Sequence, residues 1–181
     1  LNKINYKNDT DLTYKINSAK HNIADKMLYN FSKIQDKYSI DYQIEYYNSI
    51  YAISPKIRNA VNKKLSILYL SKGDLLLENN NYEEAYEYYM YSKTTGEDNG
   101  ERIKIKLSNL IIVVLNDAYR FLEMKENIIA YEKLFFAKNI RENNEYIDPL
   151  IDFLDNRMHS IKSEKIRSRM RVILNEKDDF V

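Results

Sequence analysis

The chain has 181 residues, 44% hydrophobic and 30% charged, the balance of a globular rather than a disordered polypeptide. Its 28 basic and 27 acidic side chains leave a net charge of +1, which argues against blanket electrostatic attachment to nucleic acid or an anionic membrane. Cysteine is absent, so disulfide staples, thiolate zinc sites and Cys nucleophiles are excluded.

Only 3 glycines and 2 prolines occur, too few for the turn-rich chain of an all-β or Rossmann-type domain. Long helices joined by short polar turns follow. The spacing predicts helices over Leu12–Asp36 and Ile40–Ile53, with a turn at Lys37–Ser39. Ser54-Pro55 then supplies an N-cap residue with proline at the first helical position. A third helix runs from Lys56 to about Asn79 on Ile57, Val61, Leu65, Leu68, Leu75 and Leu76. Asn79-Asn80-Asn81 breaks it, and a fourth follows over Tyr82–Lys93. Thr94 to Gly100 is the strongest loop signal. Helices over Arg102–Met124 and Asn127–Ile140 come next, and Asp148-Pro149 opens a last one reaching about Asn175. The longest purely apolar run, Leu110–Leu115, falls far short of the roughly 20 residues a membrane span needs.

Three segments of equal length, 11–55, 56–100 and 101–145, each read as a long helix, a polar break and a shorter helix. The expectation is one all-α domain over 1–181: three helix pairs and a capping helix over 149–175, about seven helices in all. Because the chain starts at Leu1, it is expected to be a piece of a longer protein. Any signal or anchor would then lie upstream, and the compartment, cytoplasmic or periplasmic, stays open.

Within the second segment, Tyr69-x3-Gly73-x2-Leu76-x5-Tyr82-x2-Ala85-x3-Tyr89-x2-Ser92 resembles the tetratricopeptide repeat. In that resemblance Gly73 marks a close helix approach, Ala85 is the small residue of the second helix, and Tyr89 and Ser92 continue the buried stripe. Adding 45 gives Val114, Ala118, Phe121, Ala130, Leu134 and Ala137; subtracting 45 gives Ala24, Leu28, Phe31, Ile40, Ile44 and Tyr47, a degenerate copy. The usual period is about 34 residues, so the first helix of each pair is lengthened here. The resemblance implies an antiparallel helix-pair solenoid that acts as a non-catalytic scaffold for another protein or peptide. Such repeats occur in envelope complexes of AT-rich bacteria, so an envelope assembly is one expected setting.

No catalytic or metal pattern emerges. His21 and His159 lie far apart and are read as having neither a carboxylate nor a second histidine one turn on, so no zinc pair is expected. Gly96-x3-Gly100 lacks the Lys-Ser/Thr of a phosphate loop, and Asp9-Thr10-Asp11 and Glu97-Asp98-Asn99 lack the calcium-loop pattern. Glu83-Glu84 and Asp178-Asp179 read as solvated charges. No enzyme, cofactor, metal or small-molecule substrate is expected.

Three features could bind. By the resemblance, the inner face would include Asp25, Tyr29 and Lys33, then Leu70, Asp74 and Glu78, then Leu115, Tyr119 and Glu123; equally, Leu70 and Leu115 could be core. Tyrosines crowd two short helices, and with Tyr82 and Tyr89 facing inward, Tyr88 and Tyr91 should point elsewhere, either as a contact or dimerisation surface or as compositional filler. Finally, Asp74 to Glu101 holds eight acids against Lys93, while Arg157 to Arg171 holds six bases against Glu164. The last helix could therefore meet nucleic acid or an anionic surface through Arg157, Lys162, Lys165, Arg167, Arg169 and Arg171, or simply be a solvated cap.

Overall fold

The computed structural model describes residues 6–96, 100–141 and 147–160. Among these the chain is all-helical: α1 (Tyr6–Ser32), α2 (Ile40–Ile53), α3 (Arg58–Glu78), α4 (Tyr82–Thr95), α5 (Gly100–Glu123), α6 (Asn127–Ile140) and α7 (Asp148–Ser160). Single 3-10 turns, Gln35–Lys37 and Pro55–Ile57, precede α2 and α3.

Local chemistry sets the ends. Ser39 caps α2, its Oγ accepting the Tyr42 N–H at 3.3 Å. Pro55 opens a 3-10 turn rather than an α-helix, and Ser54, buried, makes no side-chain cap bond, so α3 starts at Arg58. Asp148 does not cap α7. The first bond of the full helical spacing runs from Ile151 N–H to the Ile147 carbonyl, and the Asp148 carboxylate lies 3.3 Å from Arg141 instead. α1 stops at Ser32, short of the expected Asp36.

The turns after α3 and α5 are alike. Asn80 (φ 61°) and Lys125 (φ 62°) are left-handed. Asn81 N–H bonds back to the Leu76 carbonyl and Asn80 N–H to Leu77; Glu126 N–H bonds to Phe121 and Lys125 N–H to Leu122. Both are Schellman closures, which satisfy the last carbonyls of a helix and reverse the chain within three residues. They stand at the same offset as the sequence period.

The chain divides into two compact units, 1–106 and 107–181, with the boundary inside α5. In the first unit α1 packs on α2, α2 on α3, and α3 on α4. Ala24, Phe31, Tyr47, Ile50, Ile57, Val61 and Leu65 form its buried cluster. Tyr47 donates its hydroxyl to Gln35, so the deepest phenol of this cluster keeps a partner. Between α3 and α4 the contact is close. Ser66 and Ser92, both fully buried, each donate a hydroxyl to the other's carbonyl at 3.1 and 2.8 Å. Further along, Gly73 lies under the Tyr89 ring: a Cβ built there would stand 2.5 Å from Cε1. Later residues of α3 thus meet earlier residues of α4. Ala85 is fully buried on the same face.

In the second unit, the α5 residues Leu107, Leu110, Ile111, Val114, Leu115, Ala118 and Leu122 are buried, as are Ala130, Leu134 and Ala137 of α6. α7 packs on α6, with Ile151 and Leu154 buried and Lys138 Nζ 2.7 Å from Asp155. No helix among the described residues is long and apolar enough to cross a membrane.

Candidate interaction surface

The expected groove residues divide into three groups. Leu70 and Leu115 are 1% and 3% exposed; the expectation that they face a partner gives way to the other reading, core. α3 and α5 bury more than one stripe, and these two leucines lie within the buried breadth.

Asp74 is the second case. Its carboxylate accepts the Tyr89 hydroxyl at 2.8 Å and the Lys106 ammonium at 2.6 Å. Burial, with Asp74 as acceptor, pushes the Tyr89 hydroxyl well above the ordinary phenol value. Asp74 is therefore occupied in holding α4 and the start of α5 to α3.

The third group is exposed: Asp25, Tyr29, Lys33, Glu78, Tyr119 and Glu123. Lys33 Nζ sits 3.9 Å above the Tyr29 ring, one turn away on α1. Tyr119, 42% exposed, lies under the Arg157 guanidinium at 5.2 Å, and the same guanidinium pairs with Glu123. Two groove candidates and one candidate of the basic helix are thus one cluster in the second unit. Of the basic set, Arg157 is committed to this cluster, and Lys162, Lys165, Arg167, Arg169 and Arg171 lie outside the described residues.

The expectation that no carboxylate stands one turn from His21 is wrong: its Nε2 is 3.4 Å from Asp25, a spacing visible in the sequence as His21-x3-Asp25. It is a single pair. Among the described residues no group of three or more His, Cys, Asp or Glu is placed to hold a metal ion.

Two outward faces escape the spacing arguments aimed at the inner face. On α6, Ile128, Tyr131 and Phe135 are 61%, 57% and 53% exposed, and the last two rings stack at 6.4 Å. Their spacing of three and four residues puts them on one side of the helix, away from buried Ala130, Leu134 and Ala137. The signal was legible: α6 carries apolar residues at two helical phases. On α4, Tyr88 and Tyr91 meet edge to face at 5.7 Å and both touch Tyr69 of α3, at 6.0 and 5.8 Å. Tyr91 is 50% exposed and Tyr88 half-buried, whereas Tyr82 and Tyr89 are fully buried.

The chain matches no protein-family model, and comparisons with curated proteins and with solved structures find no match. The class that the structure itself defines is all-α.

Proposed function

We propose that this chain is a non-catalytic scaffold that binds another protein through exposed helix faces, built as a tetratricopeptide-like antiparallel helix-pair solenoid. The observation that carries it is the second face of α6. The buried face of that helix accounts for its place in the fold. Ile128, Tyr131 and Phe135 add a solvent-facing apolar line that folding does not require. Large aromatic side chains with few rotamers are the residues that supply binding energy at protein contacts. The matching Schellman turns after α3 and α5 support the repeat reading, as does the burial of Gly73, Ala85, Ala118 and Ala130. Rigid stacked pairs lower the ordering cost of binding.

The test is retention of a discrete protein from a lysate of the source organism, at moderate salt with nuclease. A Tyr131→Ser, Phe135→Ser bait runs beside the parent. Loss of the retained protein with that variant, whose melting curve should match the parent, supports the reading. If the variant retains the same protein, or the parent retains only nucleic acid, this face is not the binding surface.

A further inference from the structure

The α4 face differs from the α6 face in charge. Glu84, Glu87, Tyr88 and Tyr91 stand three, four and seven residues apart, an arc of about 100° on one side of α4. Tyr69 reaches the same place from α3, so three rings from two helices meet there, with Tyr88 and Tyr91 at 88° to each other. Tyr91 is 50% exposed. Glu83, Glu84 and Glu87 are exposed and have no ion-pair partner among the described residues. Lys72 is held 2.9 Å from Asp41 of α2 and also lies within electrostatic reach of Tyr88 and Glu84. The aromatic corner is thus rimmed by two carboxylates: Glu84, which shares the field of Lys72 with Asp41, and Glu87, which has no ion pair among the described residues.

Ring faces attract cations through their quadrupole, and carboxylates beside them add charge-assisted hydrogen bonds. Phosphate-bearing partners would be repelled. Seven residues of helix span about 10 Å from Glu84 to Tyr91, which three residues of extended chain also span. We infer that the Tyr69–Tyr88–Tyr91 corner with Glu84 and Glu87 docks an extended cationic segment of a partner protein carrying two arginines or lysines three residues apart. One cation lies over Tyr91 beside Glu87; the other pairs with Glu84. This rests on the scaffold reading and names the chemistry of a partner at a face distinct from α6.

The test uses the full chain and a labelled peptide, Gly-Arg-Gly-Gly-Arg-Gly, with the Glu-for-Arg peptide as its counterpart, followed by fluorescence anisotropy. The basic peptide should bind, more weakly as salt rises, and the acidic one should not. Tyr91→Leu, which keeps an apolar contact but removes the ring, should weaken binding about three- to fivefold. Glu84→Gln with Glu87→Gln should weaken it by about tenfold. Both variants change exposed positions, so unchanged melting curves verify their folding. Absence of binding overturns the proposal, as does equal binding by the parent and either variant. Peptide failure with a lysate protein still lost through Tyr131→Ser, Phe135→Ser would sink this site and leave the scaffold reading standing. Peptide binding with no lysate protein lost through Tyr131→Ser, Phe135→Ser would support this site and remove the α6 face as the binding surface.

Discussion

Gly73→Ala puts a close contact between α3 and α4 under strain. Alanine in mid-helix is ordinarily worth about 1 kcal/mol over glycine. Here its Cβ would stand 2.5 Å from Tyr89 Cε1, 2.7 Å from Cδ1 and 3.2 Å from Cζ. Ordinary contact begins at about 3.5 Å, so the ring or the helix must move by about 1 Å. The ring is poorly placed to yield. Tyr89 is fully buried, and its hydroxyl is fixed at 2.8 Å to the carboxylate of Asp74, the neighbour of Gly73 itself. Moving the ring stretches that bond; moving α4 disturbs the Ser66–Ser92 exchange. Overpacking costs about 1–3 kcal/mol and a weakened bond to a charged acceptor about 1.5 more, against the 1 gained in propensity. The net expectation is a loss of about 2 kcal/mol, or roughly 8–16 °C in the melting midpoint of a unit this size.

Urea and thermal unfolding followed by circular dichroism measure it. Gly100→Ala is the control, because a Cβ there meets nothing within 4 Å; it should be neutral or slightly stabilising. In a Tyr89→Leu background the same Gly73→Ala should cost much less, since no ring remains to be struck. A Gly73→Ala protein as stable as the parent, or an equal cost with and without the ring, would refute the packing described for α3 and α4.

Ala85→Leu forces a larger side chain into a fully buried position and should cost about 1–3 kcal/mol by urea titration. Lys125→Gly relieves a left-handed lysine at φ 62°; the gain of about 0.5 kcal/mol, after the entropy cost of glycine, should raise the melting midpoint. Tyr119→Ala, at an exposed ring, should shift that midpoint by no more than about 2 °C, and a large loss would make Tyr119 core. Folding also keeps the hydroxyls of Tyr47, Tyr88 and Tyr89 protonated above their ordinary range, chiefly by burial. The unfolded chain releases those protons near pH 10, so it binds fewer than the folded chain above that pH. Stability is whole below pH 10 and falls as pH rises, by about 1.4 kcal/mol per pH unit for Tyr89 alone. Tyr89→Phe should flatten the alkaline limb by one proton's worth; an unchanged slope would place that proton elsewhere.

Periodicity reads local order well, and the outcome shows where it stops. The boundaries of Ile40–Ile53 and Asn127–Ile140 agree residue for residue with the expected helices. The 45-residue offset places small residues at buried positions, Gly73, Ala85, Ala118 and Ala130, because size at a buried position is a local property. Charge is different. Asp74 looks free on its helix, and it is consumed by Tyr89 and by Lys106, 15 and 32 residues away. Arg157 looks like one of a basic row, and Glu123, 34 residues earlier, takes it. Whether a charged side chain is available depends on partners that spacing along one helix does not contain. Lys125 follows the same logic in the backbone: a run of asparagines announces the turn at Asn80, while lysine has no left-handed preference to announce its own.

An exposed residue meets no packing demand, so compositional bias alone can put tyrosine at solvent positions in a chain with 17 of them. Bias scatters. It gives no reason for Tyr69, 19 and 22 residues before Tyr88 and Tyr91, to meet both rings within about 6 Å across two helices. Nor does it explain why the acids at the rim of that corner make no close ion pair while Asp41, Asp74, Glu123 and Asp155 do. Carboxylates that hold the fold are paired with lysine or arginine from another element. Those on the outer side of α4 are left over, beside exposed aromatic surface, and that contrast separates the surface used for folding from the surface available to a partner.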